Sequence, residues 1–362
     1  MAHGVATCRF LHVFVGVLLL LRGTTCSVGI VETIAGGGDE RSSPEAGYLD
    51  AHATSARFDS PRGVVDSGSG YLYVTDSNNH KIRQVNIING EVTTLAGAPD
   101  KSRCSENTWP VPSVDEVNPC SNDVPDNCVS NCEYTGYEGY VDGEGDVARF
   151  NTPSSAAWVP TTVETSFSRN GILYVADTVN RKIRSLVLVE QNSTTAAGVT
   201  VSVSTVAGSD SAGEADGTGK LASFTSPNGV AVNPGGTLAY VMDGVLVRQV
   251  SLPAGVVYTL AGRPHGPSGY DSLDGDGTSA AFIRLMGGLA LTPDNRFLFV
   301  TEQCSIRRIE LSNGLPGMVS TIAGFSESNH WGCDGGHLDG TGTEALFYNP
   351  TGSRAVTEAL SV

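Results

Sequence analysis

The sequence predicts an all-β fold, a β-propeller of four-stranded blades with four blades complete and a fifth partial, and three observations carry that prediction. The first is a phrase ending in Ala-Gly that recurs at Val31–Gly36, Val92–Gly97, Ser204–Gly208, Val257–Gly262 and Ser320–Gly324. Self-similarity at a spacing of tens of residues marks one supersecondary unit stacked on itself. The second is that each interval holds the same series of short runs rich in Val, Leu, Ile and Tyr, broken by Gly, Asn and Asp turns. The third is that no helical periodicity of useful length competes with these runs. Four antiparallel strands of this length on tight turns describe a propeller blade.

In the first unit, Gly63–Asp66 is a short apolar strand, Tyr71–Asp76 the second and Lys81–Ile87 the third. Asn89-Gly90 then marks a tight hairpin, because both residues tolerate positive φ, and Glu91–Ala96 is the fourth strand. The series recurs at 154–159, 172–177, 181–186 and 201–207, at 229–232, 238–243, 245–250 and 256–261, and at 288–291, 297–302, 306–309 and 318–323. Val31–Gly36 reads as a fourth strand without its first three, and Phe347–Pro350 opens a fifth unit whose first strand is 352–362. Ring closure would bring the N-terminal strand into that last blade, leaving its middle two strands unsupplied. The chain therefore reads as C-terminally incomplete.

Tyr73–Arg83 (YVTDSNNHKIR) and Tyr174–Arg184 (YVADTVNRKIR) resemble the NHL repeat. As in that repeat, a Phe-x-x-Pro precedes the unit at Phe58–Pro61, Phe150–Pro153 and Phe224–Pro227, while Phe282–Leu285 loses the proline. The resemblance covers about residues 31–360 and is fullest in units one and two. Unit three carries Asp243-Gly244 in place of the Asn-Arg-Lys turn, and unit four carries Gln303-Cys304 there. Membership would imply a β-propeller and no particular reaction. Arg83, Arg184, Arg248 and Arg307 share one position of the third strand, and Asp76, Asp177, Asp243 and Glu302 end the second. Structural pairing is expected of them rather than a cationic ring around a channel, because neighbouring blades cover each sheet on both faces. The recurring Phe58, Phe150, Phe224, Phe282 and Phe347 is expected to anchor one blade on the next.

Residues 1–27 read as a secretory signal peptide. Phe10–Leu21 is an apolar run of 12 flanked by Arg9 and Arg22, with cleavage expected near Cys26. The propeller then occupies 28–362. Without Arg9 and Arg22, 20 basic residues face 38 acidic ones, a formal charge of −18 that excludes nucleic acid as a partner. Membrane contact is expected only through an uncleaved signal anchor or a missing C-terminal segment. Six cysteines follow the leader: Cys104, Cys120, Cys128, Cys132, Cys304 and Cys333. An even count behind a signal peptide reads as disulfides, and the sequon at Asn192 as a glycosylation site on a secreted or cell-surface protein.

Strand alternation places the turns between second and third strands on the same face as the linkers between blades. The Ala-Gly phrases are spaced 61, 111, 54 and 62 residues apart, so unit two alone is swollen, largely by the Cys-rich insert 98–141. This linker face is the candidate binding surface, and its aromatic and histidine side chains are Trp109, Tyr134, Tyr137, Tyr270, His330 and Trp331. Acidic glycine turns recur there, and Asp142, Glu144 and Asp146 with Asp274 and Asp276 form an alternative Ca²⁺ set, although none completes a calcium loop. His52, His80, His265, His330 and His337 map to the same face, where the resemblance offers no precedent for a catalytic zinc, whose ligands in this propeller class line the central cavity. The inner strands are dominated by Val64, Val65, Ala156, Ala157, Val230, Val232, Leu289 and Leu291, with Asp66, Trp158 and Asn233 at their ends, and converge no carboxylates or imidazoles. The expected function is a non-catalytic interaction scaffold for a protein or glycan ligand, with no cofactor. The alternative is a metal-dependent lyase or lactone hydrolase with its site in the channel.

Overall fold

The computed structural model describes residues 8–14, 17–23, 30–37, 47–98, 138–161, 169–191, 198–264, 272–312, 315–324 and 336–351. Each recurring unit folds into one antiparallel sheet. In blade one, β4 (Pro61–Asp66), β5 (Tyr71–Asp76), β6 (Lys81–Asn86) and β7 (Val92–Ala96) pair in chain order. Blade two consists of β9 (Pro153–Pro160), β10 (Gly171–Asp177), β11 (Lys182–Glu190) and β12 (Val199–Ala207). Blade three holds β14 (Pro227–Val232), β15 (Leu238–Asp243), β16 (Leu246–Ser251) and β17 (Val256–Ala261). Blade four holds β19 (Leu285–Leu291), β20 (Phe297–Glu302), β21 (Ser305–Ser312) and β22 (Leu315–Gly324). The innermost strands β4, β9, β14 and β19 are successive neighbours, so the four sheets stand around a common axis as a β-propeller.

The core lies between blades. Tyr73, Ile82 and Ala96 of blade one pack with Phe150, Leu173 and Val175 of blade two. Tyr174 and Ala176 pack in turn with Phe224 and Val241, and Met242 and Val247 with Phe282 and Val300. Phe58, Phe150, Phe224 and Phe282 are all 2% exposed or less, as blade-to-blade anchors should be. Fully burying each ring is worth about 2–3 kcal/mol.

The Ala-Gly phrase has a local cause. Between third and fourth strands each ladder carries a bulge at the same place, beside Ile82/Arg83, Ile183/Arg184, Val247/Arg248 and Ile306/Arg307. The bulge turns the alanine inward and ends the strand on a glycine with positive φ, +120° at Gly97 and +117° at Gly208. At Gly208 a Cβ would meet the Arg181 carbonyl oxygen at 2.3 Å, so any side chain is excluded there. In blades one to three this glycine donates its N–H to the following linker, Gly97 to the Gly145 carbonyl at 2.9 Å, Gly208 to that of Gly219 at 3.1 Å and Gly262 to that of Gly277 at 3.2 Å.

Two features differ from the sequence reading. The acidic glycine turns are not loops: β8 (Gly143–Glu144), β13 (Gly217–Thr218) and β18 (Gly275–Asp276) pair as a fifth strand on the outer edge of blades two, three and four. A linker strand laid on an outer edge satisfies its backbone groups and shields it from other chains. The swelling of unit two also has a second source, since β11 and β12 run to 9 residues each.

A further three-stranded sheet contains β1 (Cys8–Phe14), β2 (Val17–Gly23) and β3 (Ile30–Ala35), in that order. β3 ends on Ala35, and the N–H of the next residue, Gly36, reaches the Ala53 carbonyl at 3.1 Å, the contact that Gly97, Gly208 and Gly262 make to the next linker. The unpartnered fourth strand of the sequence thus abuts blade one, with Ala35 in one cluster with Phe58, Leu72 and Val74. Residues 8–14 and 17–23, which fall in the expected leader, form the hairpin that pairs with β3. An apolar run broken by one glycine suits a leader and a β-hairpin equally, because periodicity does not separate them.

Candidate functional site

The linker face is organised by a clamp that repeats once per blade. Arg83, Arg184, Arg248 and Arg307 are each 0% exposed. Each guanidinium reaches inward to the carboxylate ending the second strand: Arg83 to Asp76 at 2.7 Å, Arg184 to Asp177 at 2.8 Å, Arg248 to Asp243 at 3.3 Å and Arg307 to Glu302 at 2.9 Å. Its other nitrogen reaches outward to an aspartate of the incoming linker: Asp50 at 2.6 Å, Asp142 at 2.7 Å, Asp216 at 2.9 Å and Asp274 at 2.8 Å. Two linker carbonyls complete the set, those of Arg149 and Val141 in the case of Arg184. The repeated phenylalanine ring lies against the same group, its centroid 5.0 Å from Cζ in blades one, two and four and 5.4 Å in blade three.

The linker aspartate closes the circuit on the outer strand. The hydroxyls of Thr94, Thr205, Thr259 and Thr321 donate to it at 3.1, 3.0, 3.0 and 3.0 Å. These are the threonines of the Ala-Gly phrase. The inner carboxylate also accepts the backbone N–H after the phenylalanine: Asp59 to Asp76, Asn151 to Asp177 and Thr225 to Asp243, each at 2.8 Å, and Ile283 to Glu302. Burial pushes Asp76, Asp177 and Asp243 up from 3.8 to about 6, against the pull of their arginines. The arginines are therefore structural pairs, as the sequence led us to expect, and the linker roots are what they pair with.

In blades one and two the rest of the repeated turn does the same work. Asn79 bonds Asp76 at 2.9 Å and the Gly47 carbonyl at 2.8 Å, and Asn180 bonds Asp177 at 2.8 Å and the Gly139 carbonyl at 2.6 Å. Lys81 donates to the Ala98 carbonyl at 2.8 Å, and Lys182 to Asp210 at 2.8 Å. Both ammonium groups sit over linker tyrosines, Tyr48 at 4.6 Å and Tyr140 at 4.4 Å. These bonds put the turns between second and third strands on the linker side, in agreement with the alternation argument. Tyr48 and Tyr140 were not among the aromatic residues picked from the sequence. The signal that finds the linker roots is a fixed spacing: Asp50, Asp142, Asp216, Asp274 and Asp339 each stand eight residues before a repeated phenylalanine.

Of the predicted binding residues, Trp109, Tyr134, Tyr137, Tyr270, His330 and Trp331 lie outside the described residues, as do Asn192, Cys104, Cys120, Cys128, Cys132, Cys333, His265 and most of the 98–141 insert. Cys304 is described: it sits in the turn between β20 and β21, 9% exposed, and is disulfide-bonded. The Ca²⁺ alternative meets a competing use of its ligands. Asp142 and Asp274 are held by Arg184 and Arg307, while Glu144, Asp146 and Asp276 are exposed along the rim. Among the described residues no group of three or more His, Cys, Asp or Glu side chains gathers as a metal site. His80 accepts the Thr152 N–H at 3.0 Å, joining blade one to the next linker, and His52 pairs with Glu91 in a β-bridge. On the channel side Trp158 packs on Tyr73 of blade one, ring centroids 4.9 Å apart, and so serves the interface between blades.

The strand order defines a β-propeller; no protein-family model matches the chain. Among curated proteins the chain is 28% identical over 223 residues to Protein SUPPRESSOR OF QUENCHING 1, chloroplastic, of Arabidopsis thaliana, covering 60% of this chain and 19% of that one. It is 31% identical over 137 residues to mouse Teneurin-3, covering 37% of this chain and 4% of that one. The chain thus spans a small part of the length of each. Among solved structures, a chain of the nidogen/laminin complex aligns at TM-score 0.48 and 11% identity, over 97% of this chain and 82% of that one. Virginiamycin B lyase from Staphylococcus aureus aligns at TM-score 0.34 and 13% identity, over 75% and 56%.

Proposed function

We propose that the chain is a secreted or cell-surface NHL-type β-propeller that binds a protein or glycan through its linker face, without catalysis. The observation that supports this reading is the clamp. Each of the linkers that enter blades one to four is tied at its root by a buried arginine, two carboxylates and a phenylalanine, so the loops that leave those roots stand on a rigid frame. Function on repeat scaffolds concentrates in loops so held, because the frame removes the entropy cost of ordering their ends. The largest of these loops is the Cys-rich insert 98–141, and the disulfide at Cys304 braces a turn on the same side. The NHL-type assignment rests on the turn residues Asn79, Lys81 and Arg83 and on Asn180, Lys182 and Arg184, every one of which bonds a linker.

Two measurements test the reading. Affinity capture from the protein's native extracellular fluid, comparing the intact chain with a deletion of 98–141, should lose its partner on deletion; equal recovery removes this insert as the binding element. Metal analysis of purified protein by mass spectrometry should find no stoichiometric zinc. Stoichiometric zinc would overturn the non-catalytic reading in favour of a channel enzyme.

A further inference from the structure

Blade four leaves half-covered the face that blades one, two and three bury. At each of those three junctions an aromatic ring of the second strand, an aliphatic side chain of the third, the alanine of the Ala-Gly phrase and the phenylalanine of the next linker pack together. Tyr73, Ile82, Ala96 and Phe150 are the first such set, and in all three blades these residues are at most 3% exposed. Phe299, Ile306, Ala323 and Phe347 hold the same positions in blade four, and every one of them is half-buried. The register makes the match: Phe299 stands opposite Arg308 as Tyr73 stands opposite Gln84, and Ile306 opposite Ala323 as Ile82 opposite Ala96. A Cβ on Gly324 would meet the Phe347 ring at 2.9 Å, as one on Gly262 would meet the Phe282 ring at 3.0 Å.

Strand alternation fixes where these side chains point. Leu298 and Val300 pack toward blade three with Tyr240 and Val247, so Phe299 between them points the other way. Ile309 also packs toward blade three, so Arg308 and Glu310 on either side of it share the face of Phe299. Neither Phe299 nor Ile306 nor Ala323 joins a core cluster among the described residues. The inner strands β1, β4, β9, β14 and β19 are successive neighbours, and blade four is the last in that series.

We propose that this face of blade four is a dimerisation surface that packs on the same face of a second copy of the chain. Two observations choose that occupant. The first is that a sheet face covers these positions at the other junctions, Leu173 and Val175 lying in one cluster with Tyr73, and Leu298 and Val300 in one with Tyr240. The second is charge. Arg308 stands where blades one, two and three carry Gln84, Ser185 and Gln249, and Glu310 where they carry Asn86, Val187 and Ser251. These uncharged residues suit a permanent apolar junction; a cation and an anion two residues apart, bonded at 3.3 Å and both partly exposed, make a self-complementary one. With the two β21 strands antiparallel across a two-fold axis, Arg308 of each copy reaches Glu310 of the other, and Phe299 of each lies over Phe297 of the other. A four-stranded face six residues deep projects about 400 Å², below the about 800 Å² per partner of a standard interface. The dimer is therefore reversible, with a dissociation constant in the micromolar range. This surface is separate from the linker face and stands or falls independently of it.

The test is sedimentation velocity of the full chain from about 1 to about 100 µM, which should show a reversible monomer–dimer equilibrium. Phe299→Asp should weaken the dimer at least about tenfold, and Arg308→Glu should do the same by setting like charges against each other across the axis. The double variant Arg308→Glu/Glu310→Arg should restore the wild-type constant. Circular dichroism melting shows whether each variant is folded. Should Phe299→Asp fail to fold, the charge series decides alone, because its side chains are partly exposed. A chain that stays monomeric to about 100 µM overturns the proposal, and so does a dimer that neither substitution weakens. Failure of the double reversal to restore a dimer lost in Arg308→Glu overturns it as well.

Discussion

Blade two and the sheet β1–β3 share a bulge and an outer-strand phrase, yet only in blade two does an arginine stand opposite the threonine of that phrase. In blade two, the buried Arg184 ties Asp177, Asp142, two linker carbonyls and the Phe150 ring into one cluster. In the sheet β1–β3 Leu19 occupies that register, opposite Thr33, and Phe347 and Asp339 of the linker after blade four are half-buried and exposed where their counterparts in blade two are held by Arg184. Backbone pairing is thus enough to make a sheet in this fold. The clamp is what turns a sheet and a linker into one rigid unit, because a buried charge must recruit every partner within reach.

The largest effect is expected when blade two is given the leucine that the sheet β1–β3 carries in this register. Arg184→Leu strands Asp177 as a buried, unpaired carboxylate and should cost about 3–5 kcal/mol in urea denaturation. A loss below about 1 kcal/mol would show that the clamp is dispensable. Next comes the ring. Phe150→Ala should cost about 3–5 kcal/mol, whereas Phe347→Ala, in a half-buried position, should cost less than half as much in the same assay. Equal losses would mean that Phe347 is packed as its counterparts are.

The linker aspartates give a smaller contrast. Asp142→Asn removes a charge-assisted bond to Arg184 and should cost about 1–2 kcal/mol, discounted because that carboxylate is 42% exposed, while Asp339→Asn should change stability by less than about 0.5 kcal/mol. The smallest effect expected is on pH. Asp76, Asp177 and Asp243 sit at about 6 in the fold against an ordinary 3.8, so the folded state binds more protons between those values. The stability they contribute is fully present below 3.8 and is lost as pH rises through about 6. Melting temperature should therefore hold level or rise by a few degrees from pH 7.5 to 5. A fall across that window would mean that the arginines outweigh burial at these carboxylates.

The blades were legible in the sequence because each rests on local signals: period-2 apolar runs, Asn-Gly and Asp-Gly turns and a glycine forced by positive φ. The pairing of Arg83, Arg184, Arg248 and Arg307 with the carboxylates at Asp76, Asp177, Asp243 and Glu302 was also legible, since adjacent strands bring them together within one unit. The role of Asp142 and Asp274 was not. An Asp-Gly pair has the same sequence whether it caps a turn, holds a cation or runs as an edge strand, and the choice is made by an arginine more than thirty residues away. Tyr48 and Tyr140 were missed for the same reason, their lysines lying on another element.

What the sequence determined by itself is therefore the unit: the series of four short strands, the tight turns and the alternation that sends linkers and second-to-third turns to one side. Only the tertiary structure decided how units are joined, because the linker clamp and the blade-to-blade core are made by residues distant in the chain. It also decided the fate of Val31–Gly36. As sequence it is an orphan fourth strand; in the fold it lies against blade one at the end of a three-stranded sheet in which Leu19, not an arginine, stands opposite Thr33.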